Sequence, residues 1–251
     1  MKKMVLVGGG EIGGPCPSKG LSSTPLETFE IDRHFLSLTK KSHPNLLFMP
    51  TATETKDINR KYEKAVRNYF GTMMGANVNT LYVIQEYHSY QEIKKSIENS
   101  DCIYVGGGNT KLLLDAWHKT EVSKVIQDVI NEGKPVGGVS AGAICWFEIA
   151  FSNYKKLGYD ESFIMPLQGL GILPGACVSH YHKDFNTPKQ IHKLMLQYDK
   201  TCLCLDDFAA LSICGKKARP LQTSNVANVY CIKSNGLIVT EEIFTHNFNV
   251  Y

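Results

Sequence analysis

Short unbroken apolar runs alternate with longer amphipathic stretches along the first half of the chain. Residues 4–7, 45–49 and 102–105 are such runs, each too short for a helix, and they read as buried strands. A further strand is expected near 78–84, and Lys134, Pro135 and Val136 read as the start of another. Phe29, Ile31, Phe35, Leu36 and Leu38 carry a helix to about residue 41. Thr24 would cap that helix, with Pro25 at its first position and Glu27 closing a capping box. Helical patterns follow at 57–74, 90–99 and 111–117. From Trp146 to about Gly175 the chain is rich in Gly, Tyr and Pro and reads as irregular. Beyond it, 176–179, 202–205 and 209–213 read as strands and 188–198 as a helix, while 228–232 and 236–240 look like antiparallel strands finishing the sheet edge.

This alternation predicts an α/β fold with a mainly parallel sheet, helices on both faces and ligands at the carboxyl ends of the strands. A chain of 251 residues with no linker or repeat is expected to form a single domain, 1–251. Apolar residues at 43% and charged residues at 20% exclude a disordered or fibrous chain. A net charge of +3 with interspersed signs leaves no basic stripe, so nucleic acid is excluded as a partner. No stretch approaches a membrane span, and the first apolar run stops at three glycines, far short of a signal-peptide core. The cysteines lie mostly inside apolar runs (Cys102, Cys145, Cys202, Cys204, Cys214, Cys231), and Cys202-x-Cys204 has no second pair nearby. A cytoplasmic protein with neither metal nor organic cofactor is expected.

The candidate chemistry centres on Gly138-Val139-Ser140-Ala141-Gly142, between a strand start and the apolar Ile144 to Phe147, which reads as a helical turn. In a strand–turn–helix context this spacing is a nucleophile elbow, with helix N–H groups behind the serine able to hold an oxyanion. Gly106-Gly107-Gly108-Asn109-Thr110 is a second donor-rich turn, on the neighbouring strand end if the sheet is wound as expected. Gly8-Gly9-Gly10-Glu11-Ile12-Gly13 matches a dinucleotide fingerprint in letters, but the prolines at 15 and 17 speak for a long loop instead of the helix that fingerprint needs. Serine needs a base and an acid to orient it. His180 and the pair Asp206-Asp207 stand at strand ends and supply both types. The alternative order of α/β-hydrolases, Ser then acid then His, would need His246.

Gly106 to Thr110, Ser140-Ala141-Gly142-Ala143, the run from Gly169 to Gly175 and Ser179-His180-Tyr181 together resemble the peptidase E family of serine peptidases, which includes aspartyl dipeptidases and cyanophycinase. The resemblance implies a three-layer sandwich of the class I glutamine amidotransferase-like (flavodoxin-like) kind and hydrolysis of short peptides, including dipeptides with N-terminal Asp. It implies Ser140 as nucleophile, His180 as base, Asp207 as the acid, and Gly108 and Ala141 as oxyanion donors. Family members usually carry Glu where Asp207 stands and Pro where Ser179 stands. Asp206 competes for the acid role, His182 would share a face with His180 if the strand continued, and Asn109 is a further candidate substrate contact. Aspartyl preference requires a cation in the pocket, which no arginine in the sequence identifies. The same residues would also suit an esterase or amidase, or a pocket that binds a small acidic ligand without turnover. An edge strand near the C-terminus could support a homodimer.

Overall fold

The computed structural model describes residues 1–10, 28–153, 163–245 and 248–249. Its strands are β1 (Lys3–Val7), β2 (Asn45–Met49), β3 (Asn77–Thr80), β4 (Cys102–Val105), β5 (Pro135–Val139), β6 (Phe147–Ser152), β7 (Met165–Gln168), β8 (Leu173–Ser179), β9 (Thr201–Leu205), β10 (Ala209–Cys214), β11 (Lys217–Gln222), β12 (Val229–Ser234), β13 (Val239–Ile243) and β14 (Phe248–Asn249). Its helices are α1 (Phe29–Ser37), α2 (Lys56–Val66), α3 (Tyr90–Glu98), α4 (Thr110–Lys119), α5 (Val122–Glu132), α6 (Ala141–Ile144) and α7 (Thr187–Met195). The sequence pattern assigned no element to α5, although Val122, Val125, Ile126, Val129 and Ile130 form its buried face. The long helix expected over 57–74 is α2 followed by a π-helical segment, Arg67–Met73, which ends before Gly75. Residues 24–27, with the expected cap, and His246 lie outside the described residues.

Where one mainly parallel sheet was expected, the described strands form two mixed sheets. The first runs in the order β14-β11-β10-β1-β5-β4-β2-β3, with a parallel block of β1, β5, β4, β2 and β3 and antiparallel strands on the β1 side. The second runs β13-β12-β9-β8-β6-β7, parallel only through β6, β8 and β9. It is built largely from the segment read as irregular and from β12 and β13, which join it through the pairing of β12 with β9 instead of finishing the first sheet. Phe147 opens β6 and does not extend a helical turn.

Buried side chains on alternating positions show how the layers meet. Val5 and Val7 face a core shared with Ile31 and Phe35 of α1 and with Tyr69 and Phe70. Met4 and Leu6 face a larger core that takes in α4, α5, α6 and the inward faces of β8, β9 and β12. Cys202, Cys204, Val178 and Ile232, on the other face of the second sheet, pack with Ile191 and Met195 of α7. The thiols of Cys145, Cys177 and Cys204 are pushed up by burial and act as small hydrophobes, whereas Cys214 is exposed.

One carboxyl group breaks this apolar pattern. Asp32 of α1 is fully buried, and its Oδ2 accepts from Thr28 Oγ1 at 2.7 Å and from Tyr69 Oη at 2.9 Å. The Tyr104 hydroxyl is near enough to lower the carboxyl's pKa, although neither that hydroxyl nor Oδ1 makes a well-formed hydrogen bond. Burial outweighs the hydrogen bonds and raises this carboxyl from 3.8 to about 7. Between those values the folded protein keeps a proton that the unfolded chain has released, so stability falls as pH rises across that window. Asp32→Asn keeps an acceptor for Thr28 and Tyr69 and cannot ionise. It is expected to gain at least about 4 °C in Tm over wild type on going from about pH 5 to about pH 8. Melting curves at the two pH values check this, and a pH-independent difference would contradict a neutral Asp32.

Candidate active site

The carboxyl ends of β1, β4 and β5 in the first sheet meet those of β8 and β9 in the second, and the candidate residues collect there. At the end of β5, Ser140 takes φ 54 and ψ −114, and α6 begins at the next residue. This left-handed turn is held by Ser140 N–H donating to Val7 O at 3.0 Å and by Ser140 O accepting from Ala143 and Ile144. A side chain at Gly138 would put its Cβ 2.3 Å from Gly142 O, and one at Gly142 would come 2.2 Å from Val105 O. Both glycines of the elbow are therefore fixed by backbone contact.

His180 follows β8 with φ 56, and Phe208, next to Asp207 after β9, has φ 66. Each such residue costs about 1–3 kcal/mol and persists only where its surroundings hold it. The result is a continuous line of hydrogen bonds: His180 Nε2 lies 2.8 Å from Ser140 Oγ, and His180 Nδ1 bonds the Asp207 carboxylate. Burial alone would raise the Asp207 carboxyl. The hydrogen bond from His180 and the electrostatic influence of His180 and Lys183 outweigh it and leave the group below its usual value. A carboxylate ionised in this way fixes the imidazole with Nδ1–H toward the acid, so that Nε2 is free to accept a hydroxyl proton. Among the described residues, neither the Gly108 N–H nor the Ala141 N–H donates a hydrogen bond within the protein. Gly108 and Ser140 line one cavity of about 380 Å³.

The other candidates are placed elsewhere. Asn109 caps α4, accepting from Leu112 N–H at 3.0 Å, and its amide reaches Glu54. His182 does not share a face with His180, because β8 ends at Ser179 and the chain turns at His180. Its Nδ1 lies 2.8 Å from Asp206 Oδ1, and its ring packs edge-on against Tyr181 and Tyr230. Asp206 also accepts from the backbone N–H of His182 and of Asn228, so it ties the His180 turn to the neighbouring strands while Asp207 faces the imidazole. Among the described residues no group of three or more His, Cys, Asp or Glu is placed to hold a metal ion. No helix among them is long and apolar enough to cross a membrane.

Two contributors are invisible to a reading of the sequence. Gly9 belongs to the first glycine run, which reads only as a loop. A Cβ there would lie 1.8 Å from Asp207 Oδ1 and 2.5 Å from the His180 ring, so the bare backbone of Gly9 is the wall against which the pair rests. Lys183 lines the cavity, and none of the four arginines does. No motif marks either residue: strand pairing brings Gly9 to the site, and Lys183 arrives with the His180 turn, its N–H donating to His180 O at 3.1 Å.

Comparison with known proteins agrees with this architecture. The family model described as Peptidase family S51 matches residues 18–221. The uncharacterized peptidase YgaJ of Bacillus subtilis is 28% identical over 220 residues, covering 84% of this chain and 83% of its own length. Peptidase E of Haemophilus influenzae is 29% identical over 137 residues, 54% of this chain and 57% of that protein. A probable alpha-aspartyl dipeptidase of Drosophila melanogaster is 26% identical over 183 residues, 69% of this chain and 70% of that protein. The crystal structure of a peptidase from an acI-B1 Actinobacterium superposes with a TM-score of 0.72 at 18% identity, covering 99% of this chain and 97% of its own. A mixed α/β fold of two sheets shared with a peptidase, and a family match over most of the chain, define a peptidase, hence a hydrolase. The chain belongs to peptidase family S51.

If the wall at Gly9 sets the spacing of His180 and Asp207, Gly9→Ala should lower kcat about 100-fold, the scale expected for displacing a reacting group by about 1 Å. Steady-state kinetics on a variant whose melting temperature stays within a few degrees of wild type checks this. An unchanged kcat would show that the pair does not depend on that contact.

Proposed function

We propose that this S51 peptidase is a serine peptidase that hydrolyses short peptides through an acyl-enzyme on Ser140. The observation that carries the reading is the unbroken hydrogen-bond line from Ser140 Oγ through His180 to Asp207. Ser140 Oγ attacks the scissile carbonyl carbon while His180 Nε2 takes its proton, and Asp207 stabilises the imidazolium that forms. The tetrahedral oxyanion accepts from the Gly108 and Ala141 N–H groups, the first at a strand end and the second at the start of α6. Collapse of the intermediate breaks the C–N bond, and His180 returns its proton to the leaving amine. Water then attacks the ester with His180 again as base and releases the acid and free Ser140. The architecture around this site is of the class I glutamine amidotransferase-like, three-layer kind in this reading, with the second sheet as an addition.

The favoured substrates are dipeptides with an N-terminal Asp. Lys183 supports this, being the cation among the residues lining the cavity beside Ser140 and His180, where the hydroxyls of Thr110 and Ser152, bonded to each other at 2.9 Å, and Asn153 add polar surface. The name of the Drosophila relative, a probable alpha-aspartyl dipeptidase, points the same way.

Ser140→Ala is expected to lower kcat/KM at least about 10³-fold on any substrate turned over. Lys183→Met should lower kcat/KM for Asp-Leu about 10- to 100-fold, the scale of a charge-assisted hydrogen bond, and leave Ala-Leu within about twofold. Dipeptide hydrolysis followed by amine release measures both. Full activity in Ser140→Ala would overturn the mechanism, and equal losses on the two dipeptides would overturn the acidic preference.

A further inference from the structure

The turn after β4 presents four successive backbone N–H groups, and three of them are already engaged. Gly106 N–H donates to Met49 O at 3.0 Å and Asn109 N–H to Ala52 O at 2.7 Å, both fixed by the chain that leaves β2. Gly107 N–H is held differently: it donates to a side chain, the Tyr62 hydroxyl of α2, at 3.2 Å. Gly108 N–H is left over and lies at the cavity that Ser140 and His180 line. Tyr62 is itself well anchored. Its ring meets Phe48 edge-on at 4.9 Å and sits where a side chain at Gly106 would fall, with Cε1 2.7 Å from that Cβ position. Burial, the largest influence, pushes the phenol up to about 12, so the hydroxyl remains neutral at working pH.

We propose that Tyr62 is a positioning residue for the oxyanion site: by accepting the Gly107 N–H it fixes the Gly106–Gly107 peptide and leaves Gly108 as the donor that faces the reacting carbonyl. This rests on the serine-peptidase reading above. The physical reason is that three consecutive glycines have little of their own to fix the direction of each peptide plane. With the hydroxyl removed, the Gly107 N–H loses its partner, and a half-buried donor without one drives the backbone to turn toward another acceptor. The peptide plane of Gly108 is next in the chain and turns with it. An oxyanion donor works through pre-set direction, so the loss falls on the transition state more than on bound substrate.

Tyr62→Phe keeps the ring and its contact with Phe48, and removes only the acceptor. Expected is a fall in kcat of about tenfold with KM within about twofold, a fraction of the 10²–10³ seen when a donor is lost outright. A peptide aldehyde, which forms the tetrahedral adduct on Ser140, should lose affinity by the same factor. Binding of an uncleaved dipeptide to the Ser140→Ala, Tyr62→Phe double variant should match binding to Ser140→Ala alone. The inference is overturned if Tyr62→Phe keeps wild-type kcat and aldehyde affinity, or if substrate and aldehyde binding weaken equally, which would mark a general structural role. Full turnover in Ser140→Ala would instead remove the serine mechanism beneath it, so the two failures are told apart in one set of assays.

Discussion

The hydrogen bonds made by the His180 ring couple the two sheets at the corner where their strand ends meet. One ring nitrogen reaches Ser140 at the end of β5 in the first sheet, and the other reaches Asp207 at the end of β9 in the second. The reach is short, so the backbone must leave β geometry sharply at each end. Ser140, His180 and Phe208 do so in the left-handed region, which non-glycine residues avoid. Each is held by a specific partner: Val7 O for Ser140, Leu205 O through the N–H of Tyr181 for the His180 turn, and Gly9 O for Phe208. Strain at the strand ends is thus carried by the hydrogen bonds of the surrounding strands, and Gly9 contributes both an acceptor and the bare surface on which His180 and Asp207 lie.

Strands β1, β2 and β4 of the parallel block were legible because they are buried on both faces and read as apolar runs, whereas the polar edge strand β3 lies at 77–80 where 78–84 was expected. The second sheet was not legible. Its first strand starts with Phe147 directly after α6, so one apolar run continues from a helical turn into a strand with no polar break. Its β7 is a short outer strand carrying Pro166, a residue tolerated at an edge and read in isolation as a turn signal. The C-terminal strands were recognised as antiparallel, but which strand they join is set by contacts between β12 and β9 that no local pattern encodes.

At the site, residue types and their order were enough to nominate Ser140, His180 and an acid. They could not choose between Asp206 and Asp207, because neighbouring residues at a strand end point to opposite sides and the choice depends on the register of β9 against β8. The structure turns Asp207 to the imidazole and Asp206 to the backbone of His182 and Asn228. Placing His182 on the face of His180 extends the strand beyond Ser179, where β8 in fact ends. Gly9 illustrates a different limit: its place beside the imidazole arises from tertiary contact alone, whereas Lys183 follows from the His180 turn and only the cavity it lines required the fold.

The claim beneath all of this is that Ser140 is an activated nucleophile and that His180 is what activates it. Labelling with a fluorophosphonate, read by intact mass and peptide mapping on wild type and His180→Ala, addresses that claim whichever peptide is the substrate. A single adduct on Ser140 in the wild type, lost in His180→Ala, is the predicted result. An adduct on another residue, or labelling of Ser140 that survives removal of the imidazole, would contradict it.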